Sequence, residues 1–293
     1  MLDLGRPAAA VACGGGCLRW PRLGHRLPRC RERLIFGPVP GQSLVVVSDA
    51  HLGVAPPGTE EALLSFLEAV PGLGDCLLIN GDLFDFWFSY ARVIPRRGFH
   101  VAAALARLAR RVPVVMVGGN HDRWGGDFWG REIGARFEPR RATFEVGRRR
   151  VAAIHGDGLT EPRLRATLLH RAINHPITAA VYRAIHPEIG LRLVDALSPR
   201  LGDHTMDAAK LRQAAVRQHQ WATELLAREP DLGLIVMGHT HQAALVDIAP
   251  GRQYLNAGAW FDGFRYAVAT ETGAELHHFS PAVPPPPVPA VPR

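Results

Sequence analysis

Five short apolar runs in this chain stop abruptly at a carboxylate, an imidazole, or a cluster of such groups. Residues 45–48 run into Asp49-Ala50-His51, residues 77–81 into Asp82, and residues 114–119 into Asn120-His121-Asp122. Residues 151–154 run into His155-Gly156-Asp157, and residues 234–238 into His239-Thr240-His241. Short, continuous β-branched runs such as Leu44-Val45-Val46-Val47 read as strands buried on both faces of a sheet. Open α/β sheets place their ligands just beyond the carboxyl ends of such strands. One His or Asp after one strand has an ordinary surface or turn explanation; the same placement at five strand ends does not. The chain is thereby constrained to a layered α/β fold with polar residues delivered at strand ends.

The intervening segments fit that fold. Thr59 offers an N-cap for a helix over residues 60–70, where Leu63, Leu64, Phe66 and Leu67 make an apolar stripe at helical spacing. A second helix over residues 99–111 separates the strands at residues 76–80 and 114–117. Residues 143–146 and 151–154 read as a hairpin joined by Gly147-Arg148-Arg149-Arg150, a turn expected to be solvated. From about residue 160 to 228 there is no strand signal, only helical segments broken at Pro176, Pro187 and Pro199. So long an insertion between two chemically marked strands is a candidate cap over the site. Strands resume at residues 234–237, 243–248, 254–256 and 265–269. Residues 1–42 read as a disordered or non-core arm, 43–280 as one domain carrying the insertion, and 281–293 as an extended proline-rich tail.

Composition narrows the setting. The formal net charge is +7, yet Lys210 is the only lysine, so the positive charge is almost all arginine. Coding bias and an anionic partner account for this equally well. Basic residues are not interleaved with aromatics in a stacking pattern, so no nucleic-acid partner is expected. Cys13, Cys17, Cys30 and Cys76 form no disulfide framework, which fits a reducing compartment. No apolar run approaches the ~20 residues a membrane span needs, so any membrane contact is expected to be peripheral.

The residue types at the strand ends point to metal chemistry. Two divalent ions ~3.5–4 Å apart need imidazole and carboxylate ligands from several strands, with at least one carboxylate bridging them. Such a pair clamps a phosphoryl oxygen and generates a nucleophile near neutral pH. With Asp-x-His, Gly-Asp, Gly-Asn-His-Asp, His-Gly-Asp and Gly-His-x-His in this order, the chain resembles a calcineurin-like metallophosphoesterase over roughly residues 43–280. The resemblance implies a four-layer αββα sandwich with a helical cap insertion. It implies that Asp49, His51, Asp82 and His241 hold one ion, and that Asp82, Asn120, His155 and His239 hold the other. It also implies that His121 is catalytic, with Asp122 fixing its orientation, and that the ions are Mn²⁺, with Fe or Zn as alternatives.

The stretch after the shared carboxylate narrows the branch. Phosphoprotein phosphatases carry Gly-Asp-x-x-Asp-Arg-Gly there, whereas this chain has Gly81-Asp82-Leu83-Phe84-Asp85-Phe86-Trp87. That run, and the position of the helical insertion, resemble the UDP-2,3-diacylglucosamine hydrolases of lipid A synthesis. Members of that group typically have Arg where this chain has His121. The resemblance implies a lipid-linked nucleotide substrate, met peripherally at the inner face of the cytoplasmic membrane. Trp87 and Arg123 are then candidate substrate-binding residues, and Ile173, Ile177, Val181, Ile185, Leu191, Leu193, Val194 and Leu197 are candidates for an acyl-chain lining. A phosphoesterase for another phosphodiester, nucleotide or lipid phosphate, and a non-catalytic scaffold of the same fold, are the alternatives.

Overall fold

The computed structural model describes residues 41–90, 92–159, 176–201 and 208–281. Expectations for the arm, its three cysteines, Ile173, the side chain of Leu197 and the tail beyond residue 281 lie outside the described residues. Among the described residues eleven strands form two sheets. Strands β1 (Ser43–Val47), β2 (Cys76–Asn80), β3 (Val114–Val117), β4 (Arg136–Glu138), β10 (Arg265–Thr270) and β11 (Ala274–His278) make the first, in the order β11-β10-β1-β2-β3-β4. Strands β5 (Arg141–Val146), β6 (Arg149–Ile154), β7 (Leu232–Met237), β8 (Ala244–Ala249) and β9 (Arg252–Asn256) make the second, in the order β5-β6-β7-β9-β8.

The period-2 alternation of each buried strand feeds two different cores. Val45, Val47, Leu77 and Ile79 face helices α1 (Thr59–Leu73) and α2 (Phe99–Leu108). Leu44, Val46, Cys76 and Leu78 face the other way and pack with Val151, Ala153, Leu234 and Val236 of the second sheet. On the far side, Ala152, Ile154, Ile235 and Met237 pack against Ala222, Leu225 and Leu226 of a long helix, Ala208–Arg228. Helices, sheet, sheet and helix therefore stack as the expected sandwich.

Several local expectations need correction. Thr59 is the first helical residue; Gly58, in the left-handed region, is the cap, and the Thr59 hydroxyl bonds the Pro56 carbonyl instead. The hairpin turn is tighter than expected, so Arg149 is inside β6 and buried. Its guanidinium donates to the carbonyls of Thr270, Gly273 and Gly233 and to Gln253 Oε1. In the insertion, Pro176 and Pro187 each open a helix, α3 (Pro176–Ala184) and α4 (Pro187–Leu201), where a missing N–H costs nothing. Pro199 breaks nothing and lies within α4. The last helix, Ala208–Arg228, here α5, belongs with the second sheet as its outer layer.

Candidate metal centre

Strands β1, β2 and β3 are parallel neighbours in the first sheet, and β6 and β7 in the second. The loops that follow them interlock. Asp49 N donates to Gly81 O at 3.1 Å, His51 N to Asp82 O at 3.0 Å, and Gly238 N to His155 O at 2.9 Å. Contacts that cross between the sheets include His239 N to Asp49 Oδ1 at 3.0 Å and His155 Nδ1 to Asn80 O at 2.8 Å. A carbonyl can only accept, so His155 keeps a proton on Nδ1 and turns Nε2 to the centre.

The described side chains gather into three donor groups. Asp49, His51 and His241 form the first, Asp82, His155 and His239 the second, and His51, Asp85 and His121 a third that shares His51 with the first, with the donor atoms of each group within 4.8 Å of one another. Asp82 reaches the first two, its Oδ2 lying 3.8 Å from His51 Nε2 and 3.0 Å from His155 Nε2. His51 Nε2 and His241 Nε2 approach to 3.3 Å. Asn120 Oδ1 is buried and has no hydrogen-bond partner among the described residues. Carboxylates and imidazoles so gathered, with an orphaned buried amide oxygen on the residue before His121, whose N–H binds Asp82 Oδ1, are donor types that hard or borderline divalent cations take, so the residues present fit the metal pair.

Backbone strain concentrates at the same place. Of the six non-glycine residues described with positive φ, five are Asp49, His51, Asp82, His239 and His241, with φ between 44° and 68°. Such conformations persist only where surrounding structure over-determines them, and they cluster at functional sites. Gly81, at φ 89°, permits the close approach: a Cβ there would lie 2.3 Å from His155 Nδ1.

The electrostatics are those of a cation site. Burial alone would raise the Asp82 carboxyl, but the charges of His155 and His121 and the His155 hydrogen bond hold it well below the usual range. Asp49 is lowered against the same burial by its bond to His241 and the charge of His155. His155 and His241 are raised, burial opposing and Asp82 and Asp49 respectively prevailing. Burial pushes His51 down to about 3 in spite of Asp82. Both carboxyls are thus biased toward the ionised form and both imidazoles toward the protonated one, a positive charge that a bound metal ion would replace.

The family profile for calcineurin-like phosphoesterases matches residues 43–243. The chain belongs to the calcineurin-like phosphoesterase family. A UDP-2,3-diacylglucosamine hydrolase of Porphyromonas gingivalis is 28% identical over 239 residues, 75% of this chain and 91% of the relative. One of Bordetella pertussis is 30% identical over 203 residues, 69% of this chain and 78% of the relative. Among solved structures, Vacuolar Protein Sorting 29 from Cryptosporidium parvum aligns over 82% of this chain and 92% of its own, with 14% identity and a TM-score of 0.41.

In this phosphoesterase the structure places the remaining expected residues differently from one another. The His121 ring lies 5.0 Å from that of His51, beside the first donor group. Its Nδ1 is 2.6 Å from the Asp85 carbonyl and 3.7 Å from Asp85 Oδ1. Asp122, expected to orient it, instead accepts from Leu83 N and Gly119 N, each at 2.8 Å. Asp122 therefore ties the Asp82 loop to the Asn120 loop, and burial together with the Asp82 charge pushes it up to about 6. Trp87 is 1% exposed, packed among Phe84, Phe128 and Trp129. It is core, which corrects its expected place in the pocket. Arg123 pairs with Asp157 and donates Nε to Gly119 O at 3.0 Å, linking two of the site loops. Sequence reasoning missed Asp85 at His121 and Phe261, whose ring sits edge-on to His51 and His241. The position of Asp85, three residues after Asp82, was the available signal for the first; nothing marked the second.

Proposed function

We propose that this phosphoesterase is a dinuclear-metal hydrolase that cleaves the pyrophosphate of UDP-2,3-diacylglucosamine to UMP and 2,3-diacylglucosamine 1-phosphate. The observation that carries the chemistry is the pair of donor groups meeting at Asp82. The substrate rests on relatives of that name, 25–30% identical over most of the chain. Asp49, His51, Asp82 and His241 would hold one ion, and Asp82, Asn120, His155 and His239 the other, with Mn²⁺ the expected metal and Fe or Zn compatible with the same donors. When bound, the ions supply Lewis-acid polarisation of the phosphoryl oxygens and lower the pKa of an attacking water.

The chain's own residues do the rest. Because Asp85 O can only accept, the His121 ring carries a proton on Nδ1 and turns Nε2 to the substrate. In its cationic form it stabilises charge on the departing sugar phosphate and can deliver a proton to it. The Asp122 carboxylate and the Arg123–Asp157 pair keep the loops of Asp82, Asn120 and His155 in register.

The insertion supports a lipid substrate. Ile177, Val181 and Leu193, which would be shielded in an ordinary interhelical core, are 47–66% exposed, and Ile189 joins them at 62%. Tyr182 of α3 packs on Phe86 and Phe88, rings on the loop that follows Asp82. Apolar helices beside that loop suit acyl chains, and the +7 charge suits the anionic inner face of the cytoplasmic membrane, where the protein acts peripherally. No helix among the described residues is long and apolar enough to cross a membrane.

With Mn²⁺ present, kcat/KM for the diacylated UDP-sugar is expected to exceed that for UDP-N-acetylglucosamine by at least ~10²-fold, since each buried methylene contributes ~0.8 kcal/mol. Equal turnover of the two, measured as UMP release, would remove the lipid from the assignment.

A further inference from the structure

Helix α5 presents a buried stripe at helical spacing: Ala214, Gln218, Ala222, Leu225 and Leu226. One member is wrong for such a stripe. Gln218 is fully buried among alanines and leucines, a placement that is costly unless both ends of the amide are bonded. They are. Nε2 donates to Gly238 O at 3.1 Å, and Oε1 accepts from Thr240 Oγ1 at 3.3 Å and from the Tyr254 hydroxyl at 3.4 Å. Asn256 Nδ2 closes the network, donating to Gly238 O at 3.2 Å and to Thr240 Oγ1 at 3.1 Å.

Gly238 and Thr240 flank His239, and Thr240 precedes His241. Both histidines hold φ in the left-handed region, 68° and 57°, so the turn needs outside support to stay in place. The same amide also abuts the neighbouring loop. A Cβ on Gly156 would lie 2.2 Å from Gln218 Nε2, so the residue after His155 has to be glycine, its φ of +108° permitting it. One side chain on the outer helix thus touches both loops that present His155, His239 and His241.

We infer that Gln218 is a positioning residue of the metal centre, seating these three imidazoles from the outer helix through its polar ties to their loops. This rests on the metal-site reading above. Partners that orient ligands from behind typically change metal affinity by ~10–100-fold when removed.

The test is Mn²⁺ affinity of the full chain, titrated by electron paramagnetic resonance of the free ion, for wild type, Gln218→Leu, Thr240→Val and Leu225→Ala. Leucine suits the apolar stripe and removes only the polar ties. Thr240→Val removes one of those ties from the loop side, and keeps the question answerable should the Leu variant not fold. Leu225→Ala loosens α5 against the second sheet without touching the loops, and serves as the control for a merely structural role. The expected result is a ~10–100-fold weaker Mn²⁺ affinity in Gln218→Leu and a loss in the same direction in Thr240→Val. Leu225→Ala should have a lower melting temperature and wild-type affinity. Wild-type affinity in folded Gln218→Leu, or in Thr240→Val, overturns the inference, as does an equal loss in Leu225→Ala. A wild-type protein that binds no Mn²⁺ overturns the metal-site reading itself, a distinguishable failure.

Discussion

Replacing Asp82 with Asn is expected to strip both ions from the centre and to lower phosphodiester turnover by at least ~10³-fold, the scale on which removal of a single electrostatic stabiliser is felt. The side chain is isosteric and keeps one acceptor, so the loop geometry survives: the amide oxygen can still accept from His121 N, now at 3.0 Å. What goes is the charge that lies within 3.0 Å of His155 Nε2 and 3.8 Å of His51 Nε2, one from each of the first two donor groups. Asp49 accepts from the His239 N–H, but it stands 3.5 Å from His241 Nε2 and 4.0 Å from His155 Nε2, so it approaches the second group's rings less closely than Asp82 does. Metal content per chain after desalting, read beside turnover of bis(p-nitrophenyl) phosphate, checks the expectation. Two retained ions with turnover within tenfold of wild type would show that Asp82 is not the shared ligand.

His121→Ala should behave in the opposite way towards metal. The ring is beside the first donor group but is fixed by Asp85, and the residue contributes to the Asp82 carboxylate through its main-chain N–H, which alanine retains. Both ions are therefore expected to stay while kcat falls by ~10²–10⁴-fold, the usual range for losing a general acid. The loss should grow with the basicity of the leaving group, being smaller for p-nitrophenolate than for an alkoxide, because a good leaving group needs little protonation. Steady-state kinetics on a matched series of phosphodiesters, with metal content measured on the same samples, decides it. A uniform loss across the series would mean that His121 binds substrate without moving a proton, and unchanged turnover would remove it from the reaction.

The parts of this protein that are legible from sequence are those governed by local pattern. Residues 44–47 and 76–79 are apolar on both faces because one face meets α1 and α2 and the other meets the second sheet. The candidate ligands stand out because the same residue types recur after five strands, and Asp49, His51, Asp82, His155, His239 and His241 converge in the structure. What was illegible depended on where a side chain turns after its backbone is placed. Asp122 is adjacent to His121 in sequence, yet its carboxylate is taken by two main-chain N–H groups. Trp87 follows the Asp82 loop, but Phe88 bridges to Trp124 and carries the segment into the aromatic core. Edge strand β4, three residues long with charged ends, has no periodicity to read. Gln218 looked like any polar residue on a helix, because its partners lie 20 or more positions away.

Which phosphorus is attacked is the most direct test of the proposed reaction. Hydrolysis of UDP-2,3-diacylglucosamine by the Mn²⁺-loaded protein in H₂¹⁸O, with both products analysed by mass spectrometry, reports it. One ¹⁸O in UMP and none in the diacylglucosamine 1-phosphate is the result expected of water attack at the UMP phosphorus. Label in the sugar phosphate, or no UMP formed while a generic phosphodiester is turned over, would contradict it.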